Sequence, residues 1–254
     1  MIAFSFWGTK RLILAVALWV TAVYSISAFS LEPITADLEP SGSRSVQTFR
    51  LSNPSTQPIA IRIRILTRQE DEAGQEVNTL ADDLFTVYPS RVLINPNGIQ
   101  LVRVQWKGDP NPATELAYRL VVEQMPVDFG ESKREGGSIR ILTRYVGSLY
   151  VVPPHARADV RLVEQKLGTD SNGKEGLFLV FHNQGTAHTI LSDLTIEVGG
   201  GDTKILFQGD DLQGISGENL LSGARKAFFL PLPEELANSD PSAIVVNFWY
   251  EAVR

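Results

Sequence analysis

Three histidines, His155, His182 and His188, are the residues whose type is best suited to binding a metal or moving a proton. His182 and His188 flank the segment NQGTA, and Asp193 is the one acid close to them in sequence. A zinc site needs a third ligand. The spacing puts these two histidines on either side of a loop, and loop histidines that are satisfied or exposed are the simpler reading. Gly209-Asp210-Asp211 is a fragment of a calcium loop without the spaced acids and closing glutamate, so it reads as a turn. Gly199-Gly200-Gly201-Asp202 is followed by no Lys-Ser/Thr pair, so it reads as a hairpin turn rather than a phosphate loop. Neither GxSxG nor HExxH occurs. With no cysteine there is no thiol nucleophile, no disulfide and no lipidated thiol. These residues point away from an enzyme, and no metal or other cofactor is expected.

A different chemistry is written into Gly137–Pro153, GSIRILTRYVGSLYVVP. Ile139, Ile141, Thr143, Tyr145, Gly147, Leu149 and Val151 fall on one face of an extended chain, and Arg140 and Arg144 fall on the other. A strand this long outruns the usual length of about 5–6 residues. A strand that outruns its own sheet can lend main-chain bonds and apolar side chains to another protein. The alternative reading is a long core strand of an all-β domain.

Composition sets the frame. The chain has 254 residues, 43% hydrophobic and 20% charged, enough for one large or two ordinary domains. A net charge of −6 argues against a nucleic-acid partner, although Lys133, Arg134, Arg140 and Arg144 form a local basic cluster. Lys10-Arg11 precede the apolar run LILAVALWVTAVY, and small residues follow at Ser25, Ser27, Ala28 and Ser30. This is the pattern of a secretory signal peptide over 1–30, with the mature chain expected to start at Leu31. The run is short for a membrane span of about 20 residues, so no membrane insertion is expected after cleavage. Export without disulfides fits a bacterial periplasmic protein.

The elements that would position these residues are strands. IAIRIRIL, residues 59 to 66, alternates strictly, with Ile59, Ile61, Ile63 and Ile65 opposite Arg62 and Arg64. LVRVQW alternates again, and VQTFRL, LFTVY and YRLVVEQ read as further short strands, separated by turn residues such as SNPSTQP and by Pro89 and Pro96. Short helical turns are expected at 80–84 and 233–237. Pro153-Pro154 reads as a linker, and the strand texture resumes beyond it at Val160–Gln165, Leu177–His182, Leu194–Val198, Lys204–Gln208, Arg225–Leu230 and Ala243–Ala252. Two all-β sandwiches over 31–153 and 154–254 are the simplest account.

Several segments in this order resemble the PapD-like periplasmic chaperones of the chaperone–usher pilus pathway. FRLSNPSTQPIAIRIRI, LFTVYPSRVLINPNGIQLVRV, AYRLVVEQMPVD and TRYVGSLYVVP carry the likeness in the first half; LVFHNQGTAHTILSDLTI and LLSGARKAFFLP carry it in the second. The resemblance implies two immunoglobulin-like sandwiches with a cleft between them. It also implies donor-strand complementation, in which the chaperone lends the strand before the linker to a pilus or fimbrial subunit that lacks one. The subunit is then delivered to an outer-membrane usher. On this reading Ile139, Ile141, Thr143 and Tyr145 are the subunit-binding residues.

The chain departs from the family at one point. Most members hold the subunit's terminal carboxylate with an Arg in the first strand and a Lys in the donor strand. Those positions fall near Ala36 and at Ser148 here, and neither is basic. Arg103 and Arg144 are the candidate replacements, since guanidinium groups grip carboxylates by paired, charge-assisted bonds. Other readings stay open: a scaffold of the same fold serving another secreted or surface assembly, or a metal-binding or enzymatic sandwich. Self-association without a client is a further expectation.

Overall fold

The computed structural model describes residues 28–70, 75–127, 141–201, 203–236 and 240–253. Its N-terminal part is built from β1 (Ser30–Glu32), β2 (Thr35–Leu38), β3 (Val46–Ser52), β4 (Ile59–Thr67), β5 (Gln69–Glu70) and β6 (Glu76–Val77). These are followed by β7 (Phe85–Tyr88), β8 (Arg91–Ile94), β9 (Ile99–Trp106), β10 (Leu116–Met125) and β11 (Arg144–Val151). One sheet runs β1-β3-β9-β7 and the other β2-β11-β10-β4-β8, while β5 and β6 form a small ribbon of their own.

Alternation explains the packing. Ile61, Ile63 and Ile65 of β4 are buried while Arg62 and Arg64 are only half-buried on the opposite face. Val102, Val104 and Trp106 of β9 do the same in the facing sheet, so the two inner faces close on one core with Phe49, Leu120 and Leu149. Each isoleucine withdrawn from water stabilises the fold by about 1.5–3 kcal/mol. Phe29 belongs to this core as well, 3% exposed. It lies just before the expected mature start at Leu31.

The C-terminal part repeats the plan with β12 (Val160–Thr169), β13 (Glu175–Asn183), β14 (Thr189–Gly200), β15 (Thr203–Gln208), β16 (Asn219–Leu220), β17 (Arg225–Pro231) and β18 (Ile244–Val253). β12-β13-β17 form one sheet; β14 gathers β15, β16 and β18 into the other. Leu179, Phe181, Leu191, Ile196 and Leu230 fill the space between them. The six strands expected in this half all form; five are longer than expected, and the last, Ile244–Val253, is shifted by one residue at the same length. Helical structure among the described residues is confined to one-turn 3-10 segments, two of them at Asp82–Leu84 and Glu234–Leu236. β8 lies inside the stretch that Pro89 and Pro96 appeared to break, paired to β4 through Ile59–Arg62.

The same device shapes the turns at the ends of β3 and β13. Asn53, 1% exposed, donates from Nδ2 to Gln57 O (2.8 Å) and Ile94 O (3.1 Å), and its Oδ1 accepts from Ser55 N (3.1 Å). Asn183, fully buried, donates to Ala187 O (2.8 Å) and Leu220 O (3.0 Å) and accepts from Asp159 N (3.1 Å) and Gly185 N (3.0 Å). An amide supplies donors and an acceptor from one short side chain, which neither Asp nor Leu can do. Asn53→Ala and Asn183→Ala are each expected to cost about 2–3 kcal/mol in urea denaturation, because buried backbone groups lose their partners. Asn→Asp at either site should not restore stability, since an acid offers no donor to the facing carbonyls.

Candidate functional site

β11 is the strand that faces both ways. Its odd residues Gly147, Leu149 and Val151 point into the N-terminal core, and Tyr145 packs at the margin of that core with its ring edge-on to Phe29 at 4.8 Å. Its even residues Arg144, Val146, Ser148 and Tyr150 occupy the outer face of the sheet. β10 pairs with it from Leu116↔Val151 to Glu123↔Arg144. The strand is shorter than the sequence suggested. It starts at Arg144 because β10 ends at Met125, leaving Thr143 O, which accepts from Gln124 N at 3.0 Å, as the last link.

The other edge of β11 is covered for only half its length. β2 joins in parallel at Ser148↔Thr35 and runs to Val151↔Leu38. Ser148 N donates to Ile34 O (2.9 Å) and Val152 N to Leu38 O (2.8 Å), so even-numbered residues turn their main-chain groups toward β2. By the same alternation Arg144 and Val146 turn theirs to that side before β2 begins. Among the described residues nothing pairs with them there. Gly147 marks the junction: a Cβ on it would lie 2.7 Å from Ile34 O, so a side chain would push β2 away. Beside the open edge Ile141 is 64% exposed, Leu142 43% and Val146 43%. Thr143 is half-buried, and Ile139 lies outside the described residues.

The four donor-strand candidates therefore divide. Tyr145 is committed to its own core, whereas Thr143 and Ile141 continue the same face beyond that core. The two anchor candidates do not come together. Arg103 is exposed on β9, whose inner face carries Val102 and Val104; Arg144 is exposed on the outer face of the opposite sheet. They point away from each other across the sandwich, so they cannot grip one carboxylate. Ala36 is buried in the core, and its neighbours Thr35 and Asp37 take the outer face beside β11.

Two other arginines converge where the anchor was sought. Arg119 of β10 stands opposite Ser148 and donates from Nη1 to Ser148 Oγ at 2.7 Å. Arg68, just past β4, donates from Nη1 to Tyr150 Oη at 2.6 Å. Glu76 of β6 joins them. Its Oε1 accepts from Arg119 Nε at 2.8 Å, its Oε2 accepts from Arg119 Nη2, and that oxygen lies 3.3 Å from Arg68 Nε. The bond from Arg119 is the main cause holding the Glu76 carboxyl down to about 2, against the opposing effect of partial burial.

This face is turned to the C-terminal sandwich. Tyr150 is 1% exposed, its ring stacked on His188 at 3.8 Å, and its hydroxyl also accepts from Asn219 Nδ2 at 2.9 Å. His188 is the satisfied loop histidine of the two expected alternatives, not an exposed one, and it is no partner of His182. It is buried between the sandwiches, where Nδ1 lies 2.7 Å from Glu115 Oε1. Glu115 N donates to Thr186 O at 2.9 Å, and Lys226 Nζ meets Glu70 at 3.1 Å across the same junction. A cavity of about 450 Å³ lined by Arg68, Glu70, Glu115, Tyr118 and Ser222 opens beside it. None of Arg68, Glu76, Arg119, Tyr150 and Glu115 was marked by motif. The signal that could have found Arg119 is its place between Tyr118 and Leu120 in the strand YRLVVEQ, opposite the residues that face the core.

Two outcomes follow. His188→Ala leaves the Glu115 carboxylate buried without its partner and should cost about 3–5 kcal/mol in urea denaturation, while the Glu115→Leu/His188→Leu pair should cost less. The Glu76 carboxyl is depressed when folded, so its contribution to stability is complete above its ordinary value of 4.5 and lost as pH falls from there toward about 2. An acid titration of stability should lose part of its slope over that window in Glu76→Gln.

Comparison with known proteins agrees with this architecture. Residues 35–180, more than half of the chain, match the family described as "Pili and flagellar-assembly chaperone, PapD N-terminal domain". The structure resembles the CsuC–CsuE chaperone–tip adhesion subunit pre-assembly complex from archaic chaperone-usher Csu pili of Acinetobacter baumannii. That likeness has a TM-score of 0.55 at 15% identity, covering 82% of this chain and 89% of that one. It also resembles the class 5 fimbriae chaperone CfaA, with a TM-score of 0.53 at 13% identity over 87% of this chain and 98% of that one. At such identities these are likenesses of fold. A search of curated proteins found none that matches the sequence. With a family match of that extent and a two-sandwich, immunoglobulin-like fold, the chain belongs to the PapD-like pilus-assembly chaperones.

Proposed function

We propose that the protein is an exported periplasmic chaperone that holds pilus or fimbrial subunits by lending them the open stretch of β11, then passes them to an outer-membrane usher. The observation that carries this reading is the half-covered edge. Arg144 and Val146 present unpaired main-chain groups, and Ile141 extends an apolar face beyond the core that uses the rest of it. A sandwich short of one strand exposes a matching edge and groove, and main-chain pairing with alternate side chains entering the groove completes it. Ile141, Thr143 and, outside the described residues, Ile139 are the side chains that enter; Tyr145 keeps its own sandwich in order.

The client's terminal carboxylate fits the Arg68–Arg119 pair rather than Arg103 or Arg144. Arg119 lies beside Ser148 and Arg68 beside Tyr150, both on the outer face of β11, the strand that would pair with the client. Two of their bonds, to Ser148 and Tyr150, fix their positions without consuming their charge. No cofactor enters this scheme, because strand exchange and client folding supply the driving force.

Co-expression with a fimbrial subunit that the chaperone keeps soluble tests the proposal. Ile141→Asp is expected to remove soluble subunit–chaperone complex while leaving the chaperone's own unfolding curve unchanged, since Ile141 lies outside its core. Normal yields of complex with Ile141→Asp and with an Ile139→Asp/Ile141→Asp pair would overturn the donor-strand reading.

A further inference from the structure

The Arg68–Arg119 pair already holds a carboxylate. Glu76 engages Arg119 through both oxygens and sets one of them 3.3 Å from Arg68 Nε. A fork-to-fork contact with a second guanidinium alongside is the arrangement by which arginines recognise a free carboxylate. The remaining donors show a built receptacle: Arg119 Nη1 is fixed on Ser148 and Arg68 Nη1 on Tyr150. The arginine side chains are well covered, 9% exposed for Arg68 and 17% for Arg119, while Glu76 is the outermost member at 28%.

Glu76 is held besides by a side-chain bond from Asn78, a neighbour on the same short segment. β6 has two residues and pairs only with β5, through Gln69↔Val77 and Glu70↔Glu76. Its side chain reaches the site from that ribbon, whereas Arg119 stands on a strand paired on both sides. Rotation about the glutamate side-chain bonds frees both guanidinium groups without moving β10 or β11.

We infer that Glu76 is a resident carboxylate, a stand-in from the same chain that occupies the guanidinium pair until a client's terminal carboxylate displaces it. The inference rests on the reading of Arg68 and Arg119 as the client's anchor and adds its regulation. Two carboxylates on one pair repel, so a newcomer must evict the resident. A lone carboxylate from solution has only that contact to offer. A client that also pairs with β11 brings its carboxylate at a high effective concentration and wins the exchange. The device therefore selects chains whose terminus and strand arrive together over free acids and stray termini.

Sodium acetate is the probe, titrated against sodium chloride at matched ionic strength, with the Nε–Hε resonances of Arg68 and Arg119 followed by NMR. Wild type should respond weakly. Glu76→Ala and Glu76→Gln should show saturable shifts at both arginines with acetate affinity raised at least about tenfold. The glutamine variant keeps the shape of the side chain, and unfolding curves confirm that each variant is folded. Equal response in wild type and both variants overturns the resident-carboxylate inference while leaving the anchor standing. Absence of response at either arginine in any form overturns the anchor reading, and this inference with it.

Discussion

Everything in the N-terminal half turns on the register of β11. Leu149 and Val151 must face the core for the sandwich to close, and that choice forces Ser148 and Tyr150 onto the outer face. A slip of one residue would bury Ser148 and expose Leu149, exchanging the two faces completely. The register is over-determined by β10 on one side, β2 on the other and the close approach at Gly147. Because it is fixed at the C-terminal end, the N-terminal end of the strand can be left unpaired without losing alignment. Ile141 and Thr143 then emerge already facing the direction in which Leu149 is buried.

The outer face carries the second consequence. Tyr150 touches three groups at once: Arg68 through its hydroxyl, Asn219 through the same oxygen, and His188 through its ring. One side chain therefore couples the guanidinium pair to the placement of the C-terminal sandwich. Behind it the Glu115–His188 contact is wholly buried, which makes it costly to break but not in itself a large source of stability. Its value lies in direction. The two groups must meet across the junction for neither to be left buried without a partner.

Alternation made most of the strands legible. Ile59 to Ile65 and Leu101 to Trp106 each fixed a buried face from local sequence alone, and the two-sandwich plan followed. The site was much less legible, because its members meet through pairings between distant strands. Glu76 reaches Arg119 across 43 positions and Arg68 reaches Tyr150 across 82. Nothing in the local texture of LTRQE or YRLVV marks those meetings. Arg103 and Arg144 drew attention by composition, but the same alternation that made them visible also puts them on opposite outer faces. His188 was read as a loop residue because the turn before it is polar. Burial there comes from Tyr150 and Glu115 of the N-terminal sandwich, which no single segment reveals.

The two sandwiches differ in how they treat their edges, and the difference bears on what β11 is for. β18 pairs with β14 alone, and β12 with β13 alone, leaving a groove of about 510 Å³ between these two strands. Those edges are guarded. β12 has a register shift between Leu162 and Glu164, Gln165 Nε2 donates across the gap to Ile244 O at 2.8 Å, and charges stand along the rim at Glu164, Lys166 and Glu251. A bulge, a side chain that takes up an edge carbonyl and surface charge are the usual means by which a sheet edge avoids unwanted pairing. The exposed edge of β11 has charge at Arg144 but no register shift in its ladder with β10, and its neighbours Ile141, Leu142 and Val146 are apolar. The β11 edge, which carries none of these devices beyond Arg144, is the one that the proposed lending of a strand would pair.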